Sequence, residues 1–147
     1  MRNEPNQETK VATIYIARSN NLSQWGYDVG LSKHLYKVGY TDGDAKEAVA
    51  AGWAVERDWT LVKKQDGVEG LTEDQIVERL ARKEKMIDPK LYPRIKGTLG
   101  IYKVLPAHVE NHILVTRALT GTEETGELRL KPADFAAYLI HNALKGG

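Results

Sequence analysis

"LYKVGYTDGDAKEAVAAG", residues 35–52, decides how the chain is read. Leu35 to Thr41 predicts a strand that runs through Gly39 and stops at the Asp42-Gly43 turn. Asp44 to Ala51 predicts a short helix closed by Gly52. A strand, a glycine and a helix mouth in this order cradle a phosphate in some proteins and form an ordinary βα connection in others. The spacing Gly39 to Lys46 is G-x-x-x-G-x-x-K, which fails the P-loop pattern. No G-x-G-x-x-G follows any expected strand.

Outward from this junction, Val11 to Ala17 is β-branched and aromatic and predicts a buried strand. The stretch 18–33 is turn-rich and is expected to be a long connection that folds Trp25 and Tyr27 back onto the body. Trp59 to Lys64 predicts another strand. A helix is expected over 70–88, with Thr72 and Gln75 as a capping box, an apolar stripe of Ile76, Leu80 and Ile87, and Pro89 as its stop. "GIYKVLP" from Gly100 predicts a strand, 107–120 a helix ending at Gly121, 127–130 a short extended piece, and 132–144 a closing helix with Pro132 in its first turn. Strands and helices alternate irregularly, which points to an α+β class.

The 147 residues suffice for one domain, and 41% hydrophobic with 28% charged residues is a globular balance. There is no cysteine, so thiolate nucleophiles and thiolate zinc sites are excluded. A cytoplasmic location is expected. No apolar run approaches the ~20 residues of a membrane span. Residues 1–10 are polar and expected to be a flexible tail, with a single domain over 11–145.

Net charge is +1, but its distribution is uneven. Residues 79–103 hold eight bases (Arg79, Arg82, Lys83, Lys85, Lys90, Arg94, Lys96, Lys103) against Glu84 and Asp88. Such an excess can track a phosphate backbone, or it can be a solvated face followed by a basic loop. His108 and His112 are spaced i, i+4, as chelating histidines on a helix are, although the order H-V-E-N-H lacks the zincin arrangement. On a helical wheel Glu110 falls within the arc of Ala107, Val109, Ile113, Leu114 and Ala118, so it is expected to face inward. An inward carboxylate needs a partner such as Arg117, or a metal.

These residues together resemble the GIY-YIG nuclease superfamily, in its compact phage and bacterial branch. Thr13-Ile14-Tyr15 stands where that family has its first motif, and Tyr36-Lys37-Val38-Gly39 where it has its second. Lys46 stands for the family's helix arginine, Glu110 for its metal-binding glutamate, and Gly126 and Glu127 for its Gly-Glu stretch. Thr13, Lys37, Lys46 and Leu114 depart from the family's Gly, Tyr, Arg and His. If Trp59 to Lys64 is the third strand of the core, Glu78 or Glu84 competes with Glu110.

The resemblance implies a three- to four-stranded, mostly antiparallel sheet flanked by helices, with 66–99 a helical, basic insertion. It also implies a DNA endonuclease. One Mg2+ or Mn2+ would sit on Glu110, Tyr15 or Tyr36 would orient or deprotonate the attacking water, and Lys46 would offset the transition-state charge. Nucleic acid would be held by Lys37, Arg79, Arg82, Lys83, Lys85, Arg94 and Lys96. Two alternatives stand beside it: an inactive module of the same fold that binds nucleic acid or a protein partner, and an unrelated domain whose aromatics in 25–59 hold a small ligand. Tyr15 and Tyr36 can also be plain packing residues with hydroxyls at the rim.

Overall fold

A computed structural model describes residues 11–121 and 128–145. The expected tail, and the Gly126-Glu127 match, lie outside the described residues.

Among these residues the elements are β1 (Val11–Ser19), α1 (Asn20–Asp28), β2 (Leu35–Thr41), α2 (Ala45–Ala51), β3 (Trp59–Glu69), α3 (Glu73–Ala81), β4 (Lys85–Met86), β5 (Ile101–Lys103), α4 (Pro106–Thr120) and α5 (Pro132–Lys145). The class is α+β. The sheet has five strands in the order β3-β1-β2-β5-β4, not three or four, and every pairing is antiparallel.

The junction at 35–52 is an ordinary strand-to-helix connection. Asp44 caps α2 by accepting from the Lys46 N–H at 2.8 Å. Gly52, at φ +75°, ends it where a side chain would be strained. Gly39 has a different reason to be glycine. A Cβ there would lie 2.0 Å from Cζ of Tyr15, whose ring crosses directly over the β2 backbone.

Alternation along β1 and β2 divides the interior in two. One face carries Ile14, Ile16, Tyr36 and Val38 against Leu80, Val109, Phe135 and Leu139, so α3, α4 and α5 cover it. The other carries Tyr15, Ala17 and Leu35 against Leu22, Val49 and Ile95. There α1, α2 and the 87–100 loop form the cover.

Two expected elements differ. The turn-rich stretch after β1 folds as α1, because Ser19 acts as N-cap, accepting from Leu22 N–H at 3.0 Å and donating to Asp58 at 2.5 Å. Trp25 does pack inward against Tyr92, whereas Tyr27 is exposed. The helix expected over 70–88 keeps its Thr72–Gln75 capping box but stops at Ala81. Lys85–Met86 then joins the sheet edge, and Ile87 enters the core on the opposite face from Ile76 and Leu80. The segment 66–99 is therefore built into the fold, contributing the end of β3, α3 and β4.

Candidate functional site

The four residues assigned to a nuclease centre divide between the two faces of the sheet. Tyr15 pairs with Gly39 across β1–β2 and stacks on Trp53 at 6.2 Å, on the side of α2 and its exposed Lys46. Tyr36 points to the other face and stacks on Phe135 at 5.2 Å. Both phenols are packing residues. Burial, and secondarily the charge of Glu73, raises the Tyr15 hydroxyl; burial lifts Tyr36 to about 12 against the opposing pull of Arg18. Glu110 is exposed on α4 rather than directed inward, because Val109 is the residue that docks that helix. Ala107, Leu114 and Ala118 of its supposed apolar arc are exposed as well. Glu110 with the two tyrosines does not form a shared metal pocket, and among the described residues no three His, Asp or Glu side chains are grouped to hold an ion.

The expected nucleic-acid contacts also divide. Lys37 is 7% exposed, held over the Trp53 ring at 5.2 Å and donating to the Val38 carbonyl at 3.2 Å, so it cannot reach a backbone phosphate. Arg79 donates to the Ala143 and Leu144 carbonyls at the end of α5. Arg94 is ion-paired with Glu56 and donates to the Ala54 carbonyl at 2.8 Å. Lys96 follows Ile95, which packs on the far face of the sheet. Arg82, Lys83 and Lys85 remain, all exposed and next to one another in space.

Between them sits Glu84, which has turned inward. It is 4% exposed, and its side-chain contacts come from α4 and α5. Its Oε1 accepts from the Leu105 N–H at the start of α4 at 3.0 Å. Its Oε2 accepts from His108 Nδ1 at 2.6 Å and from the Tyr138 hydroxyl of α5 at 2.5 Å. A buried carboxylate is tolerable only with such partners, and the helix N-terminus favours negative charge there too. Burial raises the Tyr138 hydroxyl, and its hydrogen bond to Glu84 and that residue's charge reinforce the shift.

Glu84 thus ties the sheet edge to α4 and α5 beneath two adjoining hollows. The first, about 440 Å3, is lined by Arg82, Lys83, His108, His112, His141 and Asn142, among others. The second, about 500 Å3, shares Arg82 and Lys83 and adds Lys85 and Lys103. His108 is 45% exposed, and with Nδ1 donating to Glu84 its Nε2 is left as a free acceptor. His112 lies 4.8 Å from His141, ring to ring, and burial together with that neighbour lowers its pKa.

Lys85 and Lys103 face each other across the β4–β5 ladder. Like charges placed directly opposite cost stability in a sheet. An anion between them would offset that cost.

The chain matches no family model, no curated protein and no solved structure.

In the sequence Glu84 competes with Glu110 and His108–His112 has a chelating spacing, but nothing local signals that Glu84 and His108 meet across 24 residues. Tyr138 carried no signal beyond its place on an apolar helix, because the contact spans 54 residues. Lys103 belongs to the basic segment 79–103 but is not among the expected nucleic-acid contacts, because it lies on a strand whose partner at Lys85 no local signal shows.

Proposed function

We propose that this protein binds nucleic acid, gripping the phosphate backbone along the groove of Arg82, Lys83, Lys85 and Lys103. The observation that carries the reading is the opposed Lys85–Lys103 pair, continuous with Arg82 and Lys83 and with three histidines. Phosphate contacts of this kind supply sequence-independent affinity and position a duplex or single strand. The ion pair of Arg82 with Glu78 at 3.7 Å is exposed and easily exchanged for a phosphate.

A second reading, cleavage of the bound phosphodiester, is favoured by the Glu84–His108 pair. A histidine oriented by a buried carboxylate and opening onto a cationic groove has the arrangement of a general acid or base. It is supported better than a metal centre on Glu110, through which we derive no step.

Incubating the protein with supercoiled plasmid, with Mg2+, Mn2+ or EDTA, separates these readings. Binding without nicking in any arm supports the binding module. Nicking lost in His108→Ala and retained in EDTA supports the second reading. Nicking that needs the metal and is lost in Glu110→Ala would overturn both. Absence of any retardation of the plasmid at low salt would overturn the first.

A further inference from the structure

Helix α4 carries apolar residues on two opposite sides, yet the described residues cover only one of them. Val109 is fully buried, and Ile113 packs against the same core. At about 100° per residue, Ala107, Asn111, Leu114 and Ala118 fall within about 60° of one another on the opposite side. All four are exposed, as is Val115 beside them. Leu114 and Val115 keep 51% and 48% of their surface. A helix that is apolar all round belongs in an interior, so the outer side of α4 lacks its cover.

The stripe Ala107, Asn111, Leu114, Ala118 alternates steps of four and three residues, the spacing of the a and d positions in a helix pair. The flanks say what the second helix is. Glu110 and Arg117 stand one heptad apart, each immediately before an a position, Asn111 or Ala118. When two copies of α4 pair antiparallel, Ala107 faces the partner's Ala118 and Asn111 faces the partner's Leu114. The same register sets Glu110 against the partner's Arg117, and two-fold symmetry forms that ion pair twice. In a parallel pair Glu110 would meet the partner's Val115 instead, with no charge to match. Glu110 is exposed. A guanidinium has five donors, so Arg117 can take the partner's carboxylate in addition to contacts within its own chain.

We infer that the outer side of α4 is a self-association surface, on which two copies of this chain pair antiparallel about a two-fold axis. The 15 residues of α4 span about 22 Å. One such helix pair lies below the ~1,200 Å2 at which stable complexes begin, and the polar Asn111 in the stripe weakens it further. The expected product is a reversible dimer with a Kd of the order of 100 µM. No residue of α4 lines the hollow of Lys85 and Lys103, so pairing and nucleic-acid binding are tested separately.

Sedimentation of the full chain from about 10 µM to 1 mM should show a monomer–dimer equilibrium. Leu114→Glu, at an exposed position, should leave Tm unchanged and weaken the dimer at least about tenfold. Glu110→Arg should weaken it about threefold or more by setting like charges together twice, and Glu110→Arg/Arg117→Glu should recover most of that loss. The chain has no cysteine, so orientation can be read directly. Ala107→Cys and Ala118→Cys proteins, mixed and oxidised, should give the mixed disulfide in preference to either homodimer, as read by intact mass. Should Arg117→Glu disturb the fold, Leu114→Glu and the disulfides still decide. The inference is overturned if the chain is monomeric at 1 mM, if Leu114→Glu dimerises as the parent does, or if homodimeric disulfides predominate.

Discussion

Replacing Glu84 with Gln changes one oxygen to an amide nitrogen and keeps the side chain's shape. Oε1 can still accept from Leu105, but the new NH2 meets two groups that donate, His108 Nδ1 and the Tyr138 hydroxyl. Hydrogen bonds to a charged acceptor contribute about 1.5–3 kcal/mol each. Tyr138 can rotate its hydroxyl to accept and His108 can change tautomer, so part of the loss is recovered. A net cost of about 2–3 kcal/mol is expected, a large share of the ~5–15 kcal/mol that holds a domain together. With about 2.1 cal/mol/K of unfolding entropy per residue, this corresponds to a Tm lower by roughly 7–10 °C. Tyr138→Phe alone should cost about 1 kcal/mol, and the double variant should fall short of the sum because both remove the same bond. Urea and thermal unfolding measure all three. A Glu84→Gln protein melting within about 2 °C of the parent, or strict additivity, would refute the claim that this carboxylate ties the sheet edge to α4 and α5.

Gly39→Ala should cost about 1–3 kcal/mol, since its Cβ meets the Tyr15 ring and Trp53 blocks the ring's retreat; Tyr15→Val in the same chain should restore part of the loss in a urea titration. Ser19→Ala should lower stability by about 1 kcal/mol by removing the α1 cap, with loss of helical signal confined to the residues after β1. His34, lowered by burial and then by Lys33 and Arg18, and His112, lowered by burial and then by His141, both take up protons more readily when unfolded. Their contribution is therefore complete above the ordinary value of 6.5 and is lost as pH falls through their lower folded values. Tm should drop between pH 7.5 and 5, and the drop should shrink in His34→Phe/His112→Phe.

Local signals carried much of the fold. Strand β2, the Asp44 cap, the Thr72–Gln75 box and the Gly121 terminus are each set by a few neighbouring residues, so they were legible in the sequence. What local reading could not see was pairing. Lys85–Met86 lies within a helical-looking run and becomes a strand only because β5 offers it an edge. The Asn-Ser-rich stretch after β1 looked like a loop until Asp58, 39 residues away, fixed Ser19 as a cap. The candidate site suffered most from this. Tyr15 and Tyr36 looked equivalent as strand tyrosines, yet the register of β1 on β2 sends them to opposite faces. Glu110 looked inward on an ideal wheel because Leu114 and Ala118 were counted as core, whereas that side of α4 is exposed. Glu84 stands among bases as an alternative to Glu110, and only its three distant donors explain its burial.

Fluorescence anisotropy of a labelled 20-base-pair DNA duplex, titrated from low to physiological salt, tests the groove most directly. The account predicts affinity that falls linearly with salt on logarithmic axes. Lys83→Gln and Lys85→Gln should each reduce that slope by about one, while Lys96→Gln, on the other face, leaves it unchanged. Slopes equal in all three variants, or binding weakened by Lys96→Gln alone, would contradict it.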